Sequence, residues 1–315
     1  MRILVTGASG FVGRRLVRAL VERDHEVVAG VHRAEVTFDA PVICRYMNVL
    51  EPDTLVEVLR QFKPACIVHL AGQTLVELSW SNPVHTIQTN VIGTMNVIDA
   101  VCHAAQQARI ISIGSSEEYG ISALMGVPLT EDSPCSPQNP YAVSKFTAGQ
   151  LALQMAQKNQ LELVHVRPFN HFGPGQGPGF VISDFISQIV AIEQNRCAPF
   201  VKVGDITVQR DFLYIDDVIH AYIQLLEHEV PNGFYNVCSG VSRKIEDILS
   251  YLILQSKVTF EVKRDANKLR TSNVPFFVGC ADKIHAATDW TPSIPFHEGL
   301  LQTLDWWRVK HSKRE

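Results

Sequence analysis

The chain begins with MRILVTGASGFVG over residues 1–13, and this stretch decides the fold. Residues 3–5 are a short apolar run with two β-branched members, which is typical of a buried strand. Gly7, Gly10 and Gly13 then recur every third residue, and apolar residues follow at helical spacing. A strand, a glycine-rich turn and a helix in this order let a pyrophosphate approach the free amides of the helix N-terminus. The stretch therefore predicts dinucleotide binding. The spacing G-x-x-G-x-x-G differs from the common G-x-G-x-x-G, and a purely structural turn is the alternative.

Strand-like and helix-like segments alternate through the first half of the chain. This alternation predicts an α/β fold, namely a Rossmann-type doubly wound parallel sheet with a smaller C-terminal α/β substrate lobe. The Gly- and Pro-rich segment 168–179 marks the boundary between the two parts. We assign residues 1–168 to the dinucleotide-binding domain, with 207–238 returning to it, and residues 169–206 and 239–315 to the substrate lobe.

Two segments carry local predictions that depend on helix signals. Residues 82–108 are expected to be mostly one long helix. Asp216 is expected to be the N-cap of a helix that ends near Glu227, because a short carboxylate side chain can accept the free amides of a first turn.

Composition excludes several classes of partner. The 315 residues carry a net charge of −4 and 46% hydrophobic residues, so no broad field attracts nucleic acid or an anionic membrane. No apolar run approaches the roughly 20 residues of a membrane span. The seven cysteines are scattered and odd in number, which is typical of reduced thiols in a cytoplasmic protein. No signal-peptide pattern or metal-ligand spacing is recognised.

The end of the second predicted strand bears on the choice of cofactor. An acidic residue usually ends this strand in NAD-binding proteins and holds the ribose 2′-hydroxyl. Here the strand ends in Val31, and Arg33 follows it. Because a guanidinium forms charge-assisted bonds to a 2′-phosphate, NADP(H) is favoured. Glu35 leaves NAD(H) possible, and a solvated loop cation is the alternative for Arg33.

Tyr141 and Lys145 are four residues apart at the start of a predicted helix, so they share one face. A neighbouring ammonium stabilises a tyrosinate, so we expect Lys145 to lower the pKa of Tyr141 toward neutrality. Ser115 follows a predicted central strand and can hydrogen-bond the same substrate oxygen. The three residues predict proton transfer to a carbonyl or from an alcohol. A surface pair on a helix is the alternative for Tyr141 and Lys145.

With these motifs in place, the chain resembles the extended short-chain dehydrogenase/reductase family of NAD-dependent epimerase/dehydratase type along essentially its whole length. The motifs that carry the resemblance are the three glycines, HLAG at 69–72, NVIGT at 90–94, SSEEYG at 115–120, Tyr141 with Lys145, and RPFN at 167–170. The resemblance implies Ser115, Tyr141 and Lys145 as a catalytic trio, with Glu117 as a further candidate.

The sequence and the resemblance together predict the residues of the two ligand sites. The predicted cofactor contacts are Gly7, Gly10, Phe11, Val12, Gly13, Arg33, Asn48, Val49, Leu70, Ala71, Gly72, Asn90, Tyr141 and Lys145. The predicted substrate contacts are Gln73, Ser116, Glu117, Asn170, Lys202, Arg210 and Arg270. Arg and Lys suit the diphosphate of a nucleotide-sugar. A structural pair with Asp211 is the alternative for Arg210, a structural role is favoured for His171, and Asn273 replaces a frequent family carboxylate.

The segments 202–204, 210–212 and 235–240 resemble family members that reduce a GDP-4-keto-6-deoxy-D-mannose. The resemblance implies GDP-D-rhamnose as the product, for surface polysaccharide, or the talose epimer if hydride arrives on the other face. Glu117 leaves a GDP-mannose 4,6-dehydratase open, because a glutamate at this place removes the C5 proton in related dehydratases. Another 4-ketoreductase or epimerase and a non-catalytic nucleotide sensor are further alternatives. A homodimer built on the helix at 82–108 and the Tyr141 helix is the family expectation.

Overall fold

The computed structural model describes residues 1–32, 36–268 and 274–312. Its strands are β1 (Arg2–Thr6), β2 (Glu26–Val31), β3 (Ile43–Tyr46), β4 (Cys66–His69), β5 (Arg109–Ile113), β6 (Leu163–Pro168), β7 (Asn170–Phe172), β8 (Phe200–Val203), β9 (Gln209–Tyr214), β10 (Gly233–Val237), β11 (Ser242–Lys244), β12 (Glu261–Arg264) and β13 (Phe276–Phe277). Its α-helices are α1 (Phe11–Val21), α2 (Pro52–Phe62), α3 (Val76–Ser81), α4 (Pro83–Ile87), α5 (Gly93–Ala104), α6 (Pro140–Asn159), α7 (Val181–Glu193), α8 (Ile215–Glu227), α9 (Ile245–Leu254), α10 (Asp282–Thr288) and α11 (Phe296–Ser312).

A large parallel sheet has the strand order β10-β6-β5-β4-β1-β2-β3. The chain runs outward from β1 to β3, then crosses to the other side of β1 to form β4. Open α/β sheets bind ligands at such a reversal, beside the carboxyl ends of the strands. The predicted doubly wound parallel sheet is confirmed, and its reversal lies beside the glycine turn that follows β1.

The core lies on both faces of this sheet. Ile3 and Val5 pack in one cluster with α1 and α8, whereas Leu4 packs in a second cluster with α2, α5 and α6. Successive side chains of a strand point to opposite faces, so a strand buried on both sides must be apolar throughout. This requirement explains the unbroken apolar run at residues 3–5.

The smaller part of the chain carries two further sheets. One has the order β11-β9-β13 with β7 also paired to β9, and the other joins β12 to β8. Helices α7, α9 and α11 pack beside them. The late strand β10 pairs in parallel with β6 of the large sheet. The exact lobe boundaries stay a prediction.

The predicted long helix at 82–108 differs from the structure. It is divided into α4, a π-helical turn (Gln88–Ile92) and α5, and it ends at Ala104. A short helix, α3, precedes it, and the side chain of Asn82 accepts a hydrogen bond from His85 N at the start of α4. The π turn widens the helix by one residue per turn, and such turns often occur at functional sites.

The predicted N-cap of α8 is wrong. Tyr214 caps this helix, and Asp216 lies in its first turn, where its carboxylate binds the guanidinium of Arg15 on α1. The negative charge still suits the positive end of the helix dipole. Among the described residues, no helix combines the length and apolar content that a membrane crossing requires.

Candidate active site

The glycine turn between β1 and α1 has the shape of a phosphate cradle. Gly7 has φ +65°, and a Cβ there would lie 2.7 Å from the Ala71 nitrogen. A Cβ on Gly13 would overlap the carbonyl oxygen of Gly7, so the turn and helix touch backbone to backbone. Gly10 caps α1 without a side-chain hydrogen bond, and the first turn of α1 contains no acidic residue. The free amides at this end therefore fit a pyrophosphate.

The loop after β4 lies against this turn through a buried histidine. Ala71 N donates to Thr6 Oγ1 at 3.2 Å, and Thr6 Oγ1 lies 2.9 Å from His69 Nδ1. His69 Nε2 in turn lies 3.1 Å from Thr94 Oγ1. Burial, together with the positive charges of Lys145 and His165, lowers the pKa of His69 to about 3. A neutral His69 thus connects the ends of β1 and β4 with the start of α5.

Asn90 lies in the π turn and connects this loop with α6. Its Oδ1 accepts Gln73 N at 2.8 Å, and its Nδ2 donates to Gln73 O at 3.0 Å and to Ser144 Oγ at 2.9 Å. Ser144 Oγ donates onward to Tyr141 O at 2.7 Å. A Cβ on Gly72 would lie 3.0 Å from Asn90 Oδ1. Contact of Asn90 with the cofactor stays a prediction, because both atoms of its side-chain amide already form hydrogen bonds within the protein.

The predicted catalytic trio is brought together by the start of α6 and the end of β5. Asn139 caps α6 by accepting Ala142 N at 2.8 Å, and this start places Tyr141 and Lys145 one turn apart. Tyr141, Lys145 and Ser115 are 8%, 7% and 8% exposed. Ser115 follows β5 and hydrogen-bonds the Tyr141 side chain. Lys145 Nζ donates to Ile113 O at 2.7 Å.

The expected lowering of the Tyr141 pKa is wrong for the protein by itself. Burial raises the pKa of Tyr141 above its usual value, the hydrogen bond from Ser115 opposes this, and the charges of Glu117 and Glu118 add to it. Burial also lowers the pKa of Lys145 to about 8, against the negative charge of Glu118. A fully protonated Tyr141 is the form that a proton donor requires.

Glu117 and Ser116 lie in the short 3-10 helix Ser116–Tyr119 that follows Ser115. Glu117 is half-buried, and its Oε2 accepts Asn139 Nδ2 at 3.2 Å. Asn139 therefore connects Glu117 with the start of α6. Ser116 is buried beside it.

The predicted substrate residues of the smaller part lie on different strands. Asn170 on β7 donates from Nδ2 to Asp211 O at 3.2 Å. Arg210 on β9 donates to the carbonyls of Gln209 and Val274, each at 2.8 Å. Lys202 lies on β8 in the separate two-stranded sheet, where it is exposed. Pairing of β7 with β9 brings Asn170 and Arg210 to one sheet, whereas Lys202 is not in that sheet.

The remaining predicted ligand contacts differ in how they are held. Asn48 donates to Glu51 Oε1 at 2.7 Å, and Val49 is buried against Gly93. Gln73 donates from Nε2 to Leu75 O at 2.8 Å, and its buried Oε1 has no partner among the described residues. Phe11, Val12 and Leu70 are half-buried around the turn and the β4 loop. Arg33, Glu35, Arg270 and Asn273 lie outside the described residues.

His171 stacks on Phe11, with ring centroids 6.3 Å apart, and its Nδ1 lies 3.0 Å from Phe169 O. Burial lowers the pKa of His171, and the backbone bond opposes this. The structural role favoured from the sequence stays a prediction, and this packing places the ring against the first residue of α1.

The sequence suggests Asp211 only as a possible structural partner of Arg210. In the structure its carboxylate accepts Ser239 N at 2.8 Å, Ser239 Oγ at 2.6 Å and Gly240 N at 2.9 Å. Asp211 is fully buried and fastens the strand of Arg210 to the loop after β10.

A buried charged cluster behind Ser115 was missed as a functional element. Glu118 Oε1 accepts Ser115 N at 2.9 Å and His165 Nε2 at 3.1 Å, and Glu118 Oε2 accepts Arg167 Nε at 2.8 Å. Arg167 Nη1 also donates to Tyr119 OH at 3.2 Å. Two charged or polar residues inside the apolar strand β6 were the available signal, because buried charges require partners.

A family model described as the NAD dependent epimerase/dehydratase family matches residues 3–238. The chain belongs to this family. The resemblance drawn from the motifs is therefore confirmed. Among curated relatives, the chain is 36% identical over 309 residues to the GDP-6-deoxy-D-mannose reductase of Pseudomonas aeruginosa, covering 98% of each. It is 27% identical over 285 residues to the GDP-6-deoxy-D-talose 4-dehydrogenase of Aggregatibacter actinomycetemcomitans, covering 90% of each.

Solved structures of similar fold superpose on nearly the whole chain. A structure of RMD from Pseudomonas aeruginosa complexed with NADPH has a TM-score of 0.86 and 34% identity, and the match covers 98% of this chain and 99% of that one. A complex of MoeE5 with UDP-glucuronic acid and NAD has a TM-score of 0.86 at 25% identity, covering 98% and 100%. Members of the same fold thus bind either dinucleotide.

Proposed function

We propose that the protein reduces the C4 keto group of GDP-4-keto-6-deoxy-D-mannose to give GDP-D-rhamnose. The observation that carries this proposal is the 36% identity, over the full length of both chains, to a GDP-6-deoxy-D-mannose reductase. The buried trio of Ser115, Tyr141 and Lys145 beside the glycine turn supports it, because carbonyl reduction needs one proton donor next to a bound dinucleotide.

NADPH is the cofactor we assign, with NADH as the weaker alternative. The similar structure complexed with NADPH supports this choice, and the absence of an acidic residue at the end of β2 agrees with it. When bound, NADPH supplies the hydride, and the protein supplies the proton. The free amides of α1 would hold its pyrophosphate, with Gly7, Gly10 and Gly13 allowing close approach.

The proton is assigned to Tyr141. Its hydroxyl is protonated throughout the physiological range and donates to the oxygen that develops at C4. Ser115 already hydrogen-bonds the Tyr141 side chain, so it can orient the same oxygen. Lys145 lies one helical turn after Tyr141 on α6 and is as deeply buried, and we assign it to hold the nicotinamide ribose.

We assign the sugar nucleotide to the region between Glu117 and the β7–β9 sheet. Asn170 and Arg210 would contact its diphosphate. The hexose would contact Glu117, Ser116 and Gln73. In a reductase, Glu117 needs only to accept a hydrogen bond from a sugar hydroxyl. The hydrogen bond from Asn139 fixes the position of its carboxylate. Lys202 and Arg270 are further proposed nucleotide contacts.

An assay with two substrates tests the function. Purified protein with NADPH and GDP-4-keto-6-deoxy-D-mannose should form one molecule of product for each NADPH oxidised. NMR should identify this product as GDP-D-rhamnose. Formation of the keto-sugar from GDP-mannose without added reductant would instead show a dehydratase that uses Glu117. Product with talose configuration would show hydride delivery to the other face. Cofactor binding without any turnover would favour a sensor.

We further infer a homodimer through the face that α3, α4 and α6 present. Large apolar side chains on this face are exposed: Leu78 at 44%, Trp80 at 60%, Val84 at 67%, and Val143 at 40%. Monomeric proteins rarely leave such a group together in water, and a two-fold axis would cover it with the same patch of a second copy.

Light scattering after size exclusion tests this assembly. The native chain should elute at about twice its 35.1 kDa mass, and the Trp80→Glu/Val84→Glu variant should elute as a monomer. The control is Leu254→Glu on α9, since Leu254 is 79% exposed and lies outside this face. A monomeric native chain would refute the dimer. Cytoplasmic location and supply of surface polysaccharide stay predictions.

A further inference from the structure

Glu118 carries a carboxylate that the reaction proposed above does not use, although it lies directly behind the trio. It is 0% exposed, and both of its oxygens are held: one by Ser115 N and His165, the other by Arg167. We propose that Glu118 is a positioning residue of the active site, which fixes the Ser115 peptide and presents a permanent negative charge to Lys145. This inference rests on the proposed reductase function.

The backbone leaves room for this cluster at two places. A Cβ on Gly114 would overlap Glu118 Oε1 and His165 Nε2. A Cβ on Gly149 of α6 would lie 2.5 Å from His165 Nε2. Glycine in the interior of a helix costs roughly 0.5–1 kcal/mol relative to alanine. Gly149 therefore accommodates the cluster at a cost to helix stability, whereas Gly114 lies in the loop after β5.

The cluster acts on Ser115 through a reciprocal pair of hydrogen bonds. Ser115 N donates to the Glu118 carboxylate, and Ser115 Oγ accepts Glu117 N at 3.2 Å. This capping box fixes both the peptide and the side chain of Ser115. Since Arg167 holds the second oxygen of Glu118, the carboxylate cannot rotate away from the Ser115 peptide. The hydroxyl of Ser115 is thus placed for its bond to Tyr141.

The surroundings keep Glu118 ionised. Burial alone raises the pKa of Glu118, but the charge and hydrogen bond of His165 and the charge of Arg167 outweigh it and hold this pKa below its usual value. Arg167 is itself enclosed, with its guanidinium 4.0 Å from the centre of the Phe234 ring and 4.8 Å from that of Tyr119. The carboxylate therefore remains charged whenever the enzyme works.

The charge of Glu118 reaches the catalytic helix. Burial lowers the pKa of Lys145 and raises the pKa of Tyr141. The charge of Glu118 raises both pKa values. The titratable and charged groups around Glu118, Lys145 and Tyr141 come from several elements. They are His165 and Arg167 on β6, Glu117 beside Glu118, His69 on β4, Tyr222 on α8 and Cys135 in the loop before α6. Loss of the Glu118 charge therefore lowers both pKa values, so Lys145 and Tyr141 release their protons at a lower pH than in the native protein.

The test compares Glu118→Gln with a matched control, Asp217→Asn. Asp217 is another buried carboxylate, on α8, that accepts hydrogen bonds from backbone and side-chain donors of Ser293 and Ile294. Both variants should lower the unfolding temperature. Glu118→Gln alone should lower kcat at least tenfold with little change in KM and NADPH affinity, and should move the alkaline limb of kcat to lower pH. Glu118→Asp, which keeps the charge, should recover part of the kcat and of the pH profile.

A second measurement does not need turnover. The pH dependence of Lys145 labelling by acetic anhydride, followed by peptide mass spectrometry, should place its pKa near 8 in the native protein and lower in Glu118→Gln. If Glu118→Gln does not fold, His165→Leu, which keeps the carboxylate but removes one of its donors, should still lower kcat at unchanged NADPH affinity.

Two results would overturn this role. One is a Glu118→Gln enzyme that loses stability as Asp217→Asn does but keeps its kcat and Lys145 titration. The other is a folded His165→Leu enzyme with native kcat. A native enzyme inactive with the keto-sugar would refute the substrate instead, and the Lys145 labelling would still decide the role of Glu118.

Discussion

The Tyr141→Phe enzyme should bind NADPH as the native enzyme does and reduce the keto-sugar about 10²–10⁴-fold more slowly, the usual contribution of a general acid. The substitution removes one hydroxyl from a side chain that is 8% exposed and leaves the ring in place. Ser115 Oγ would keep its hydrogen bond from Glu117 N but lose the one to Tyr141, and the phenylalanine ring has no hydroxyl proton to donate. Steady-state rates and fluorescence titration with NADPH measure the two effects separately.

A buried tyrosine elsewhere gives the matched control. Tyr235 is 1% exposed, and its hydroxyl donates to Pro231 O at 3.0 Å. Tyr235→Phe should cost about 1 kcal/mol of unfolding free energy through the lost hydrogen bond and leave kcat unchanged. If Tyr141→Phe retains more than about a tenth of native kcat, a different group donates the proton.

The Gly13→Ala enzyme should lose most of its affinity for NADPH. The new methyl group would overlap the carbonyl oxygen of Gly7 and lie 2.8 Å from the backbone of Ala8, and neither neighbour is a flexible side chain. Helix α1 must therefore move away from the turn. This shift would carry its free amides out of hydrogen-bonding distance of the pyrophosphate. Loss of two charge-assisted bonds, at about 1.5–3 kcal/mol each, raises Kd by roughly 10²–10⁴-fold.

Fluorescence titration and thermal unfolding check this prediction together. The overlap should also destabilise the fold by about 1–3 kcal/mol. Gly177→Ala is the control, because nothing lies within 4 Å of a Cβ at that glycine and its φ does not require glycine. A Gly13→Ala protein with native NADPH affinity would show that the cofactor pyrophosphate does not bind at this turn.

The sequence was sufficient for features that depend on neighbours along the chain. The apolar run at residues 3–5, the glycine spacing after it and the alternation of elements predicted the doubly wound sheet, which the structure has. The four-residue spacing of Tyr141 and Lys145 predicted a shared helical face, and α6 provides it. Helix and strand periods are local properties, so they can be read without knowing which segments meet.

Predictions of local structure failed where a contact with a distant part of the chain changed the conformation that the local pattern favours. The predicted helix at 82–108 contains a π turn because Asn90 must reach both Gln73 and Ser144, which come from distant segments. Asp216 pairs with Arg15, 201 residues away, instead of capping its own helix. In each case a bond to a remote residue outweighed the local preference.

The sequence by itself determined the fold class and the glycine turn, and it predicted the catalytic trio. Only the tertiary structure decided the electrostatics around that trio. The pKa of Tyr141 is raised because the packed protein removes water from its hydroxyl, and no spacing along the chain reports that loss. Glu118 and Arg167 are 49 residues apart, and only folding makes their charges a pair that holds Ser115.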